Sequence, residues 1–193
     1  ASTITSLTID NEETITIDDG AINSAIGLTV TTLHAEDVVT LNITGVANVA
    51  VTNAIESQAT AVLTTVDASG NTGTVDVDAS NATLALTMTG PTAAAASLAG
   101  GSGADTITTG SAADVITGNA GSDTITTKGG TDSITAGSGA DTITAGEGAD
   151  TVTGGSGSDS VILTENTSAA DLVHINTVYG SSSDSERNSV TGD

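Results

Sequence analysis

The chain has no cysteine, tryptophan or phenylalanine, and it carries one tyrosine (Tyr179), one proline (Pro91) and one methionine (Met88). Without cysteine there is neither a disulfide framework nor a thiolate metal site. Basic residues are almost missing too: Lys128 and Arg187 stand against 24 acidic residues, for a net charge of −22. No basic patch exists to neutralise phosphates, which excludes nucleic acid as a partner, and an anionic membrane surface is equally disfavoured. No apolar run approaches the roughly 20 residues of a membrane helix, so no membrane insertion is expected. The opening stretch ASTITSLTID has neither the basic region nor the apolar core of a signal peptide. It also lacks an initiating Met, as a processed chain or a piece of a longer protein would.

So acidic a chain with so few aromatics would ordinarily be disordered. Against that, Ile, Val, Leu and Thr recur in short runs suited to a pleated, half-buried surface. The combination predicts a β-rich fold that needs a cation.

Repeats organise a third of the chain. Aligned on aspartate, residues 100–162 divide into GGSGADTIT, TGSAADVIT, GNAGSDTIT, TKGGTDSIT, AGSGADTIT, AGEGADTVT and GGSGSDSVI. The sixth position is always Asp: Asp105, Asp114, Asp123, Asp132, Asp141, Asp150 and Asp159. The eighth is always Ile or Val, and the fourth is Gly except at Ala112.

Glycine at the second and fourth positions lets the chain turn sharply and aims main-chain carbonyls inward as oxygen donors. These glycines are Gly101, Gly103, Gly110, Gly121, Gly130, Gly137, Gly139, Gly146, Gly148, Gly155 and Gly157. The T-I-T that follows is a three-residue strand with its central side chain inward and its neighbours outward.

These units resemble the G-G-x-G-x-D-x-U-x nonapeptides of RTX proteins. The resemblance implies a parallel β-roll that binds several Ca2+ ions, with two units to a coil. Asp105, Asp123, Asp141 and Asp159 then line one edge, and Asp114, Asp132 and Asp150 the other. Like-edge carboxylates one strand spacing apart repel each other by about 1 kcal/mol in water, more when desolvated. A hard divalent cation held by carboxylates and carbonyls removes that repulsion. Placed between successive coils, the ions would occupy up to five intervals, three on the first edge and two on the second. Ala112 and Lys128 both fall on the second edge, so the sites of Asp114 and Asp132 are expected to be weakened or altered.

Residues 1–99 lack the motif but keep a looser rhythm: LTI (7–9), TITI (14–17), LTV (28–30), VTLNI (39–43), VAV (49–51), AVLTTV (61–66), VDV (75–77) and LALTM (84–88). This spacing suits a sandwich or a parallel solenoid. Two-residue hairpin signals are missing and no linker separates the region from the repeats, which favours the solenoid. The fold class is therefore all-β, a parallel β-solenoid continuing into a calcium-binding β-roll. The expected domains are 1–99, 100–162 and 163–193. PTAAAASLA (91–99) reads as a short helix or a strap, DLVHINTVYG (171–180) as one further strand and SSSDSERNS (181–189) as an exposed loop. The final VTGD echoes VITG of 115–118, as though the native chain ran on.

No catalytic constellation is present. H-E-x-x-H and G-x-S-x-G are both missing, and GGSGAD and GNAGSD lack the lysine of a phosphate loop. His34 and His174 stand apart from each other and from any cysteine, which argues against zinc. Asp18, Asp19, Asp67, Asp76 and Asp78 read as turn residues before calcium ligands. Asn42, Asn81 and Asn166 satisfy N-x-[ST], as chance allows in so Thr-rich a chain.

The resemblance implies a secreted, extracellular protein exported by a one-step (type I) route and folded by calcium outside the cell. With this composition it is most like an RTX-containing S-layer protein that self-associates into a lattice. The alternative is an export and folding module of an exoenzyme, or the stalk of an adhesin.

Overall fold

The computed structural model describes residues 2–4, 7–8, 14–18, 27–30, 33–34, 39–52, 63–164, 170–174 and 189–191. Every regular element among them is a short strand, and every strand pair is parallel. Two 9-stranded sheets carry nearly all of them. The first runs Ser2–Ile4, Leu28–Val30, Val49–Val51, Val75–Asp78, Ala96–Ala99, Val115–Ala120, Ser133–Ser138, Thr151–Ser156 and Leu172–His174. The second runs Thr14–Asp18, Thr40–Thr44, Thr65–Asp67, Thr87–Thr89, Thr106–Thr108, Thr124–Thr126, Thr142–Ala145, Ser160–Leu163 and Ser189–Thr191. Leu7–Thr8 and Leu33–His34 form a separate pair.

From Val49–Val51 to Leu172–His174, consecutive strands of the chain alternate between the two large sheets, so the backbone winds as a parallel β-solenoid. A sandwich of the immunoglobulin kind would need antiparallel pairs. The N-terminal strands add to the same two sheets as the repeats: Thr87–Thr89 pairs with Thr106–Thr108, and Ala96–Ala99 with Val115–Ala120.

Local sequence explains the strands. In Thr106–Thr108 and Thr124–Thr126 the central isoleucine is buried and the first threonine exposed, the period-2 pattern of a sheet with one face inward. Ile107, Ile125, Ile143 and Val161 stack in register on one side of the core. Ile116, Ile134 and Val152 stack opposite, followed by the partly buried Val173. On the outer face of the second sheet Thr87, Thr106, Thr124, Thr142 and Ser160 form a continuous hydroxyl row, a cross-strand pairing that suits β-branched residues.

Each of the expected N-terminal runs contributes a strand, although AVLTTV starts its strand only at Thr65 and LALTM at Thr87. The stretch 91–99 departs from expectation. It forms no helix, and Ala96–Ala99 is a strand with Ala96 and Leu98 buried. Alanine's helix propensity acts over too few residues to compete with pairing on both sides. Within 171–180 the strand is Leu172–His174, and residues 175–180 lie outside the described set. The expected loop at 181–189 also lies outside it, save Ser189, which opens the strand Ser189–Thr191.

Candidate metal centre

The seven repeat aspartates lie at the corners of the coils, each immediately before a strand, and the structure buries all of them to 1–2 % exposure. Parallel stacking places each beside its counterpart one coil on. The N–H of Asp105 donates to Oδ1 of Asp123, that of Asp123 to Asp141 and that of Asp141 to Asp159, at 2.8, 2.8 and 3.0 Å. On the other edge Asp114 donates to Asp132, and Asp132 to Asp150, both at 2.8 Å. The two rows deduced from the nonapeptide phase are thus two carboxylate ladders, one on each edge.

One oxygen of each carboxylate, Oδ1, accepts an N–H from the coil before it, with Leu86 and Ala96 as the donors to Asp105 and Asp114. The second oxygen, Oδ2, of Asp114, Asp123, Asp132 and Asp141 is buried and has no hydrogen-bond partner. Such an atom is costly to leave uncompensated. At Asp105 the corresponding oxygen accepts from the Gly101 N–H at 2.8 Å.

Burial therefore raises the carboxyl pKa of Asp105, Asp132 and Asp141 above the usual value. It pushes Asp123 up to about 6, where the N–H of Asp105 opposes the rise and the charges of Asp105 and Asp141 add to it. The repulsion expected between neighbouring carboxylates is present, but desolvation is the larger cause.

The turn glycines complete the corners. A Cβ at Gly121 would overlap the carbonyl oxygen of Gly103, and likewise at Gly139 that of Gly121, and at Gly157 that of Gly139. On the other edge the same holds for Gly130 against Ala112 and Gly148 against Gly130. At the second position a Cβ on Gly101, Gly110, Gly137, Gly146 or Gly155 would overlap a carbonyl of the preceding coil, and one on the fourth-position Gly103 would overlap the main chain of Leu84. The turns stack main chain on main chain, which brings carbonyls and carboxylates to the same edge. In the third unit Asn119 holds the second position, with φ at 75°, and its Nδ2 donates to the Gly100 carbonyl at 2.7 Å.

Departures from the repeat leave the stack intact. Ala112 sits under Gly130, and the exposed Lys128 accepts at its carbonyl from the Glu147 N–H at 3.0 Å. The edge of Asp114, Asp132 and Asp150, formed by the even-numbered nonapeptides and here called the even edge, differs in another respect. A Cβ at Gly118 or Gly154 would be directed onto Oδ2 of Asp123 or Asp159. The matching position on the even edge carries Thr109 and Thr127, both 1 % exposed with unpartnered hydroxyls. Thr127 is close enough to Asp132 to oppose the rise in its pKa.

Among the described residues no three His, Asp or Glu side chains converge as a metal cluster. Any cation held here draws on paired carboxylates and main-chain oxygens, the donor set that suits calcium. The buried, unpartnered Oδ2 atoms fit such an ion.

Residues 99–134 and 126–161 match the family model of the RTX calcium-binding nonapeptide repeat. This part of the chain is an RTX repeat array. RTX repeats bind several Ca2+ ions per array, so the roll is a calcium-binding structural element. The comparisons with curated proteins and with solved structures gave no match.

The other acidic candidates separate from the ladders. Asp67 and Asp78 close turns by accepting the N–H of Ser69 and Ser80, each at 2.9 Å, and Asp76 is exposed on a strand. Asp19 lies outside the described residues, as does the side chain of Asp18. His174 is exposed at the end of its strand.

One ladder member escaped the repeat phase. The Asp150 N–H donates to Oδ1 of Asp171 at 2.9 Å, 21 residues away instead of the usual 18. A sequence signal existed: SAAD at 111–114 recurs at 168–171.

Proposed function

We propose that this chain is the calcium-dependent structural region of a secreted bacterial surface-layer protein, which folds and assembles outside the cell when it binds Ca2+. The observation that carries the reading is the continuity of the solenoid. Residues N-terminal to the repeats add strands to the same two sheets, as befits an extended structural element more than an exoenzyme domain with a separate roll attached. Composition supports it: the chain is rich in Thr, Ala, Ser and Gly, free of Cys and strongly acidic, so calcium can both stiffen subunits and bridge them into a lattice. Export by the one-step route suits a chain that is a polyanion without calcium and a rod with it. The proposal gives the chain no catalytic role, and its partners are calcium and further copies of itself.

Electron microscopy of the parent protein, before and after adding calcium, tests the proposal. Ordered sheets that form only with calcium are the expected result. Discrete folded particles at every calcium concentration would overturn the lattice and leave an export module or an adhesin stalk.

A further inference from the structure

We propose that the side-chain hydroxyls of Thr109 and Thr127 are calcium ligands, and that the interval between Asp114 and Asp132 holds its ion with these neutral oxygens as well as with carboxylates and carbonyls. The inference rests on the calcium-binding reading of the array and goes beyond it, because the nonapeptide pattern puts glycine, which has no side-chain oxygen, at their position.

Thr109 and Thr127 open the second and fourth nonapeptides. The first position of a unit looks onto the carboxylate of that unit. A Cβ at Gly100, Gly118 or Gly154 would be directed onto Oδ2 of Asp105, Asp123 or Asp159. Along that edge the row reads Gly100, Gly118, Ala136 and Gly154, and it offers no side-chain oxygen. On the even edge Thr109 and Thr127 hold the same place before Asp114 and Asp132. Strand register stacks the two threonines: Thr108 pairs with Thr126, and the Thr109 N–H donates to the Thr126 carbonyl at 3.0 Å. The Thr109 methyl is turned to the preceding coil, with Cγ2 3.3 Å from where a Cβ on Gly90 would stand. Thr127 lies close enough to Asp132 to oppose the rise in its pKa.

A row of carboxylates alone would not make a site. Here, however, both threonines are 1 % exposed and neither hydroxyl has a partner. The Oδ2 atoms of Asp114 and Asp132 are buried and unpartnered too. The side-chain oxygens of this one interval are therefore dry and unsatisfied together. Had the position needed only bulk, valine would fill the same space and leave nothing unpartnered. A hydroxyl adds an oxygen donor without adding negative charge. It raises the ligand number towards the roughly six to eight that calcium takes, with no further repulsion between carboxylates. Ala112 and Lys128, the departures expected to weaken this edge, thus come with a substitution that adds ligands to it.

A calcium titration of the whole chain, with bound ions counted by native mass spectrometry, tests the proposal. The variants are Thr109→Val with Thr127→Val, Thr109→Ser with Thr127→Ser, and Asp123→Asn on the other edge. Valine keeps the shape of threonine and removes the hydroxyl; serine keeps the hydroxyl. The expected result is one ion whose affinity falls about tenfold or more in the valine pair, a loss of the size seen when a metal site gives up a supporting group. The serine pair should titrate as the unaltered chain does, and D123N should hold fewer ions. An unchanged titration in the valine pair would overturn the role of the hydroxyls. So would a gain in affinity, which would mean that they hydrogen-bond the carboxylates in competition with the metal. Equal weakening in the valine and serine pairs would make the effect one of packing and overturn it as well. D123N keeping every ion would instead bring down the calcium reading of the ladders, on which the proposal rests.

Discussion

The main-chain N–H of Asp105 donates to Oδ1 of Asp123, one coil further on, at 2.8 Å. This contact links the acidity of the chain to its fold. The carboxylates take part in the backbone hydrogen bonding of the stack, so they cannot turn out to solvent without breaking it. They are held close together and dry, and require a proton or a cation.

Chelation should therefore act unevenly along the solenoid. Just before the array the ladder positions carry no carboxylate: Leu86 stands one coil before Asp105 and Ala96 one coil before Asp114, each donating its N–H to that aspartate. With excess chelator, hydrogen exchange should become fast at Ile107, Ile125 and Ile143 while Val66, Val77 and Met88 keep more of their protection. Equal loss of protection in both halves would show that the apolar coils cannot stand without the metal-bound ones.

Acid should stabilise the metal-free roll. Burial raises Asp105, Asp123, Asp132 and Asp141 above the ordinary 3.8, Asp123 to about 6. Between those values the folded chain binds more protons than the unfolded one, so stability falls as pH rises through the window. For Asp123 the contribution is fully present below 3.8 and lost as pH rises through about 6. Thermal unfolding in chelator should give a higher midpoint at pH 4.5 than at pH 7. Calcium affinity should move the other way and weaken as pH drops through about 6, because protons and Ca2+ compete for the same oxygens. A metal-free midpoint that rises with pH across this range would contradict the buried ladder.

Glycine substitutions should separate stacked turns from open ones. At Gly148, φ is +127° and a Cβ would overlap the Gly130 carbonyl. Gly148→Ala should cost about 2–5 kcal/mol from backbone strain and overpacking together. At Gly129 the nearest atoms to a Cβ lie at 3.6 and 3.7 Å, so Gly129→Ala should stay within about 0.5 kcal/mol. Denaturant unfolding in saturating calcium measures both, and similar costs for the two would discredit the close coil-to-coil contact.

Truncating the core should be expensive even with calcium bound. Ile125 is fully buried and pairs in register with Ile107 and Ile143. Ile125→Ala should cost about 2–5 kcal/mol, since a thin single-row core has few neighbours able to close the gap. A loss below about 1 kcal/mol would mean that metal ligation alone holds these coils together.

Within residues 100–162 much of this was legible in the sequence, because each nonapeptide encodes its corner and strand locally: glycine where no Cβ fits, aspartate before the strand, an aliphatic residue two places on. A constant period makes the stacking partner of any residue a matter of counting, so the division of the aspartates between two edges followed without a structure. The N-terminal coils obey no such rule. Thr14, Thr40, Thr65, Thr87, Thr106 and Thr124 are successive register partners, and the shrinking intervals between them conceal the coil. There the sequence by itself determined where short strands form, and pairing across the solenoid decided which sheet each one joins. Only the tertiary structure made 91–99 end in a strand instead of a helix, and only it brought Asp171 into line across three extra residues. It also decided the protonation chemistry, because burial and an N–H from the neighbouring coil are what set a carboxylate's pKa, and both come from a residue a full coil away.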